Sequence, residues 1–133
     1  MKKSKKISNN TLFTIIGLVT SVWWIFMGLD IGFRFVAPDF VSYLLTLGEY
    51  RHTIMTIAAL ILIPFCSMGN RWGFLGAMVL GSVTLILSLT HSIYMLIATP
   101  PGFESQIFGP IVWSIIQIPI IVFSYRAKKE LSL

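Results

Sequence analysis

The sequence predicts an all-α membrane protein: four transmembrane helices in an antiparallel bundle, with a short outer interfacial helix between the first and the second. Three observations carry that reading. Four apolar blocks, at 12–29, 53–68, 74–98 and 107–125, fill most of the chain. Each is about long enough to cross a hydrocarbon core of roughly 30 Å at about 1.5 Å per residue. Hydrophobic residues make up 56% of the 133, and the mean hydropathy is +0.84. A soluble domain of this size has too little interior to hide so much apolar surface. The third observation is charge: the basic residues gather at every second gap between the blocks.

Backbone groups in lipid must be paired internally, so a spanning block is a helix or a strand of a closed barrel. Barrel strands alternate apolar and polar residues. The run Ile57-Ala-Ala-Leu-Ile-Leu-Ile63 does not alternate, so helices are expected. They leave room for one domain only, spanning 1–133, with helices near 11–36, 52–68, 73–98 and 107–125 and the interfacial segment near 39–47.

Helix one is expected to start at Asn9-Asn10-Thr11, whose short polar side chains can cap free amides. Its apolar stretch of about 18 residues exceeds the usual signal-peptide core of roughly 7–15. We therefore expect it to remain uncleaved and to run on to about 36. Asp30 and Arg34 then lie one turn apart in the favourable acid-before-base order, as an outer-face ion pair. Pro38 and Asp39 end that helix. The segment from Phe40 to Leu47 is too short to span, which suits an interfacial helix; the alternative is an outward extension of helix two through Gly48. Pro64 is expected to kink helix two. Gly69 and Asn70 mark a tight turn into helix three, which ends at Thr99-Pro-Pro-Gly102. Helix four takes Pro110 in its first turn and carries Pro119 mid-span. The carbonyl that Pro119 frees, at Ile115, falls to Ser114 or to a neighbouring helix. Trp72 and Tyr125, and on the other side Tyr43, Tyr50 and Tyr94, fit two interfacial belts; Trp23, Trp24 and Trp113 fall deeper, as packing residues.

The charges orient the threading. Lys2, Lys3, Lys5, Lys6, Arg71, Arg126, Lys128 and Lys129 fall on one side, against Arg34 and Arg51 on the other. That bias places both termini in the cytoplasm of a multi-pass protein of the cell membrane. It also explains the net charge of +5 without a nucleic-acid partner. The single cysteine, Cys66, is expected as a small packing residue.

Small or polar residues recur at steps of four and three on helix three: Gly73, Ala77, Gly81, Thr84, Ser88 and His91. Gly17, Ser21 and Gly28 do the same on helix one. Lipid offers helices no hydrophobic reason to associate, so close approach along such stripes holds them together. Gln117, with Ser114 nearby, sits mid-span; its amide is costly in hydrocarbon unless it bonds another helix. Ser88, Ser114 and Gln117 thus read as interhelical hydrogen-bonding groups or as the lining of a polar pathway. His52 and His91 both fall toward the outer side. Two such histidines could hold a haem, or a metal with help from Asp30, Glu49 or Glu104.

Phosphate-binding glycine loops, cysteine pairs and hydrolase motifs are missing, so catalytic activity of its own is not expected. The first functional expectation is a small accessory subunit of a larger membrane complex, whose partners are the lipid bilayer and other membrane subunits, with no cofactor. The alternatives are a homo-oligomeric transporter or channel, and a redox subunit using His52 and His91.

Overall fold

The computed structural model describes residues 7–26, 39–98, 102 and 108–131, with the backbone alone at 39–51, 95 and 98. The described residues are helical apart from turns and short ends, and form four helices: α1 (Asn9–Phe26), α2 (Asp39–Ser67), α3 (Arg71–Ala98) and α4 (Phe108–Leu131). Three of them are long and apolar enough to cross a membrane: α1, α3 over Arg71–Tyr94, and α4. The apolar part of α2, His52–Ser67, is shorter.

Helix ends follow local chemistry. Ser8, one residue ahead of the expected cap, starts α1: its carbonyl accepts the Leu12 amide at 2.9 Å and its Oγ accepts the Thr11 amide at 3.2 Å. A serine oxygen takes an amide that no helix carbonyl can reach. Gly69, at φ 71°, ends α2. The Gly69 amide reaches the Cys66 carbonyl and the Asn70 amide reaches the Phe65 carbonyl, both at 3.0 Å. This is a Schellman closure, which needs a left-handed residue that glycine supplies without strain. Asn70 then caps α3, its Oδ1 accepting the Trp72 amide at 2.8 Å. Three residues thus turn one helix into the next.

Two boundaries differ from expectation. The segment expected as a separate interfacial helix is the first part of α2, which is unbroken from Asp39. Gly48 costs a helix only about 1 kcal/mol, too little to break one that continues on both sides. The helix α4 runs six residues past the apolar block, to Leu131. Lys128 and Lys129 in its last turn favour the carbonyl end of the helix dipole. Pro64 and Pro119 both lie inside helices.

The helices pack α1 on α4, α4 on α3, α3 on α2 and α2 on α1. Along α1 and α4, Asn10 donates to Glu130, the Phe13 and Phe123 rings meet at 4.9 Å, Gly17 abuts Ile120, and Ser21 meets Gln117. Along α2 and α3, Phe65 meets Gly73, Leu62 meets Gly76 and Met55 meets Thr84. In both series one residue number rises as the other falls. The apolar core is small: Leu18, Val22, Ala59, Cys66, Phe74, Ala77, Ile120 and Ala127. Thr14, Ser21, Thr84, Ser88, Ser92, Ser114, Gln117 and Ser124 are also buried, while Leu12, Ile16, Trp23, Ile57, Ile61, Val79, Ile86 and Ile115 face outward. Trp23, expected as a packing residue, is 61% exposed.

Candidate functional site

Period and packing bring the polar interior together. On α1 the buried positions Thr14, Gly17, Leu18, Ser21 and Val22 recur at helical spacing. On α4 the same holds for Gly109, Pro110, Trp113, Ser114, Gln117, Ile120, Ser124 and Ala127. Trp113 and Gln117 are therefore one turn apart on the face turned to α1. Gly17 lets that face approach: a Cβ there would lie 2.6 Å from Ile120 Cγ1.

Where the two faces meet, Ser21 Oγ accepts two hydrogen bonds, from Trp113 Nε1 at 2.9 Å and from Gln117 Nε2 at 3.1 Å. The Gln117 amide also donates to the Trp113 carbonyl at 3.2 Å. Trp113 is fully buried and Gln117 is 2% exposed. Both carry donors that are expensive to bury alone, and one hydroxyl satisfies the pair. With two donors converging on it, Ser21 Oγ is the shared acceptor of this joint. A second bridge joins the same helices, from Trp24 Nε1 to the Gly109 carbonyl at 3.1 Å.

Trp113 also reaches α2. The His52 ring lies against it, centroids 5.0 Å apart and planes tilted by 52°, within the range of favourable aromatic pairs. One indole thus touches α1 through its N–H and α2 through its face. One turn along α2 from His52, Met55 Sδ, a weak acceptor, accepts from Thr84 Oγ1 of α3 at 3.0 Å.

The expected site residues fall as follows. Gly73, Ala77, Gly81, Thr84 and Ser88 are buried and His91 is half-buried. A Cβ on Gly81 would meet Ile121 Cγ1 at 2.9 Å, so the stripe receives α4 at Gly81, whereas Gly73 and Thr84 meet α2. Ser114 donates to the Pro110 carbonyl of its own helix at 2.9 Å. It therefore serves neither another helix nor the Ile115 carbonyl. Among the described residues the fully buried hydroxyl of Ser88 has no hydrogen-bond partner, while its carbonyl accepts from Ser92 Oγ at 2.7 Å. Among the described residues, no group of three or more His, Cys, Asp or Glu could hold a metal ion. Gly28, Asp30 and Arg34 lie outside the described residues.

The Trp113 bond to Ser21 went unread in the sequence, although a signal exists. A buried indole N–H needs an acceptor, and Ser21 is the polar group of the α1 stripe at a matching depth. No family model, curated protein or solved structure matches this chain.

Proposed function

We propose that this chain is an integral protein of the cell membrane, crossing it four times as an antiparallel bundle with both termini cytoplasmic. In this reading it is a non-catalytic accessory subunit of a larger membrane complex, bounded by lipid and by other subunits. The carrying observation is that the polar groups between α1 and α4 are spent within the protein. Ser21, Trp113 and Gln117 close on one another and so join two helices, while Ser114 closes on its own helix, which leaves these groups little to offer a path. The exterior is apolar instead, which suits lipid and neighbouring helices.

The crossing of α2 is supported by its 29 residues, about 44 Å of helix. The antiparallel reading draws on the opposed contact series of α1 with α4 and of α2 with α3. The contacts of Ile120 with both Gly17 and Gly81 support a reading in which the start of α1, the α2–α3 turn and the end of α4 lie at one end of the bundle. In that reading Arg71, Arg126, Lys128 and Lys129 share that end, consistent with a cytoplasmic face under the positive-inside rule.

Gentle solubilisation followed by identification of bound chains tests the role. Stoichiometric co-purification of other membrane proteins is expected. A stable isolated protein with its own turnover in liposomes would overturn it. A small transporter is the second reading, and the buried Ser88 hydroxyl favours it, because an unpaired polar atom is where water or a substrate group gains a partner. Flux through reconstituted protein that falls in Ser88→Ala would select it.

A further inference from the structure

Between α2 and α3 the surface opens into a groove of about 610 Å³. Its α3 wall runs through Trp72, Gly76, Val79 and Val83, and its α2 wall includes Ala58 and Ile54. Every lining residue is apolar or glycine except for the indole N–H of Trp72. The groove exists because α2 and α3 touch most closely near their shared turn. A Cβ on Gly73 would lie 2.9 Å from the α2 backbone, and one on Gly76 would lie 2.5 Å from Leu62 Cδ2. The groove runs along this contact, with Gly76 and Ala58 among its lining.

Three features select an occupant. From Trp72 to Val83 the α3 wall rises about 16 Å, roughly half of a 30 Å hydrocarbon core. The groove therefore has the depth of one leaflet. A partner helix crossing the whole membrane would need a longer seam. At the end nearest the turn stands Trp72, 72% exposed, an indole placed as at a membrane interface. The residue before it in the chain, Arg71, is exposed, a fixed positive charge at the turn end of α3 that suits a phosphate.

We propose that this groove seats an acyl chain of an anionic phospholipid from the leaflet on the turn side, with the lipid phosphate held by Arg71. The inference rests on the reading that the chain spans a membrane. The chain fills a slot that protein side chains leave open, and Arg71 selects the headgroup by charge. The basic residues at the end of α4 attract the same leaflet through charge alone.

The test counts lipids on the full-length protein by native mass spectrometry, in mild detergent with equal phosphatidylglycerol and phosphatidylcholine of matched chains. Wild type is expected to retain a single phosphatidylglycerol in preference to phosphatidylcholine by about fivefold. Arg71→Gln should erase the preference while still retaining lipid. Val79→Trp and Val83→Phe, both at outward-facing positions, should lower retention of both lipids with helix content unchanged. Lys128→Gln with Lys129→Gln should leave the preference intact. Equal retention of both lipids by wild type, or loss of preference in the Lys128/Lys129 variant as large as in Arg71→Gln, would overturn the proposal. So would release of a second protein chain, rather than lipid, by Val79→Trp. Resistance of the chain to alkaline carbonate extraction is scored separately. A chain that stays in the membrane yet shows no headgroup preference sinks the lipid site alone, whereas a chain that washes out sinks the spanning reading.

Discussion

Along the α1–α4 seam, Ser21, Trp113 and Gln117 join the helices by hydrogen bonds; along the α2–α3 seam, contact is made where side chains are missing, at Gly73 and Gly76. One seam is directional and sealed, the other is a backbone contact that opens into a groove. Surrounded by lipid, apolar side chains gain little by meeting one another, since the tails are as apolar as leucine. Two ways of holding helices remain: polar groups that need partners, and close approach that adds dispersion contacts. Hydrogen bonds dominate the first seam and close approach the second, although Gly17 also lets α1 approach Ile120 and Thr84 donates to Met55 between α3 and α2.

The comparison can be broken most forcefully at Trp113, which belongs to the first seam and also braces α2 through His52. Trp113→Ala is expected to destabilise the bundle by about 3–5 kcal/mol, read as reversible unfolding in mixed micelles. A smaller loss would mean that the indole is not the joint of three helices. Gly73→Ala comes next, at roughly 1–3 kcal/mol. Its methyl would meet Phe65 and Cys66 backbone atoms at 2.9 Å, and backbone cannot swing aside.

Ser21→Ala and Gln117→Leu then separate the hub from a spoke. Removing Ser21 strands the Trp113 donor and leaves Gln117 only its bond to the Trp113 carbonyl, at a cost of about 1–2 kcal/mol. Gln117→Leu removes a donor but leaves Trp113 bonded, and should cost about 0.6 kcal/mol. Equal losses in the two variants would contradict the shared acceptor. The smallest effect is expected at Gly76→Ala, below about 0.5 kcal/mol. The methyl meets only the tip of Leu62, which can turn into the open groove. A large loss there would show that the α2–α3 seam is as rigid at Gly76 as at Gly73.

How much of this was legible in the chain depends on the kind of signal. The inward faces of α1 and α3 could be read because small residues at steps of three and four have a period, and a period is a property of sequence. The turn from α2 to α3 was legible because Gly69 and Asn70 each answer a local need. Cap positions and helix ends were less so. Ser8 rather than Asn9 starts α1, and α2 runs through Gly48, because a cap or a glycine is decided by energies near 1 kcal/mol that neighbours can outweigh. The site was legible as a set of polar residues and illegible as a network. Gln117 announces that it needs a partner, but which hydroxyl supplies it depends on the rotation and depth of another helix. Ser114 shows the converse: at a similar level on the same helix, it bonds the Pro110 carbonyl one turn back instead.

By itself, then, the sequence determined that the chain is helical, that most of its surface is apolar, and which faces carry small and polar groups, since composition and period act locally on each helix. Only the tertiary structure decided that Ser21 receives both Trp113 and Gln117, that His52 lies on the same indole, and that α2 and α3 leave a groove lined in part by Gly76. Those are relations between helices, set by how closely two backbones approach and at what register. No single helix carries that information.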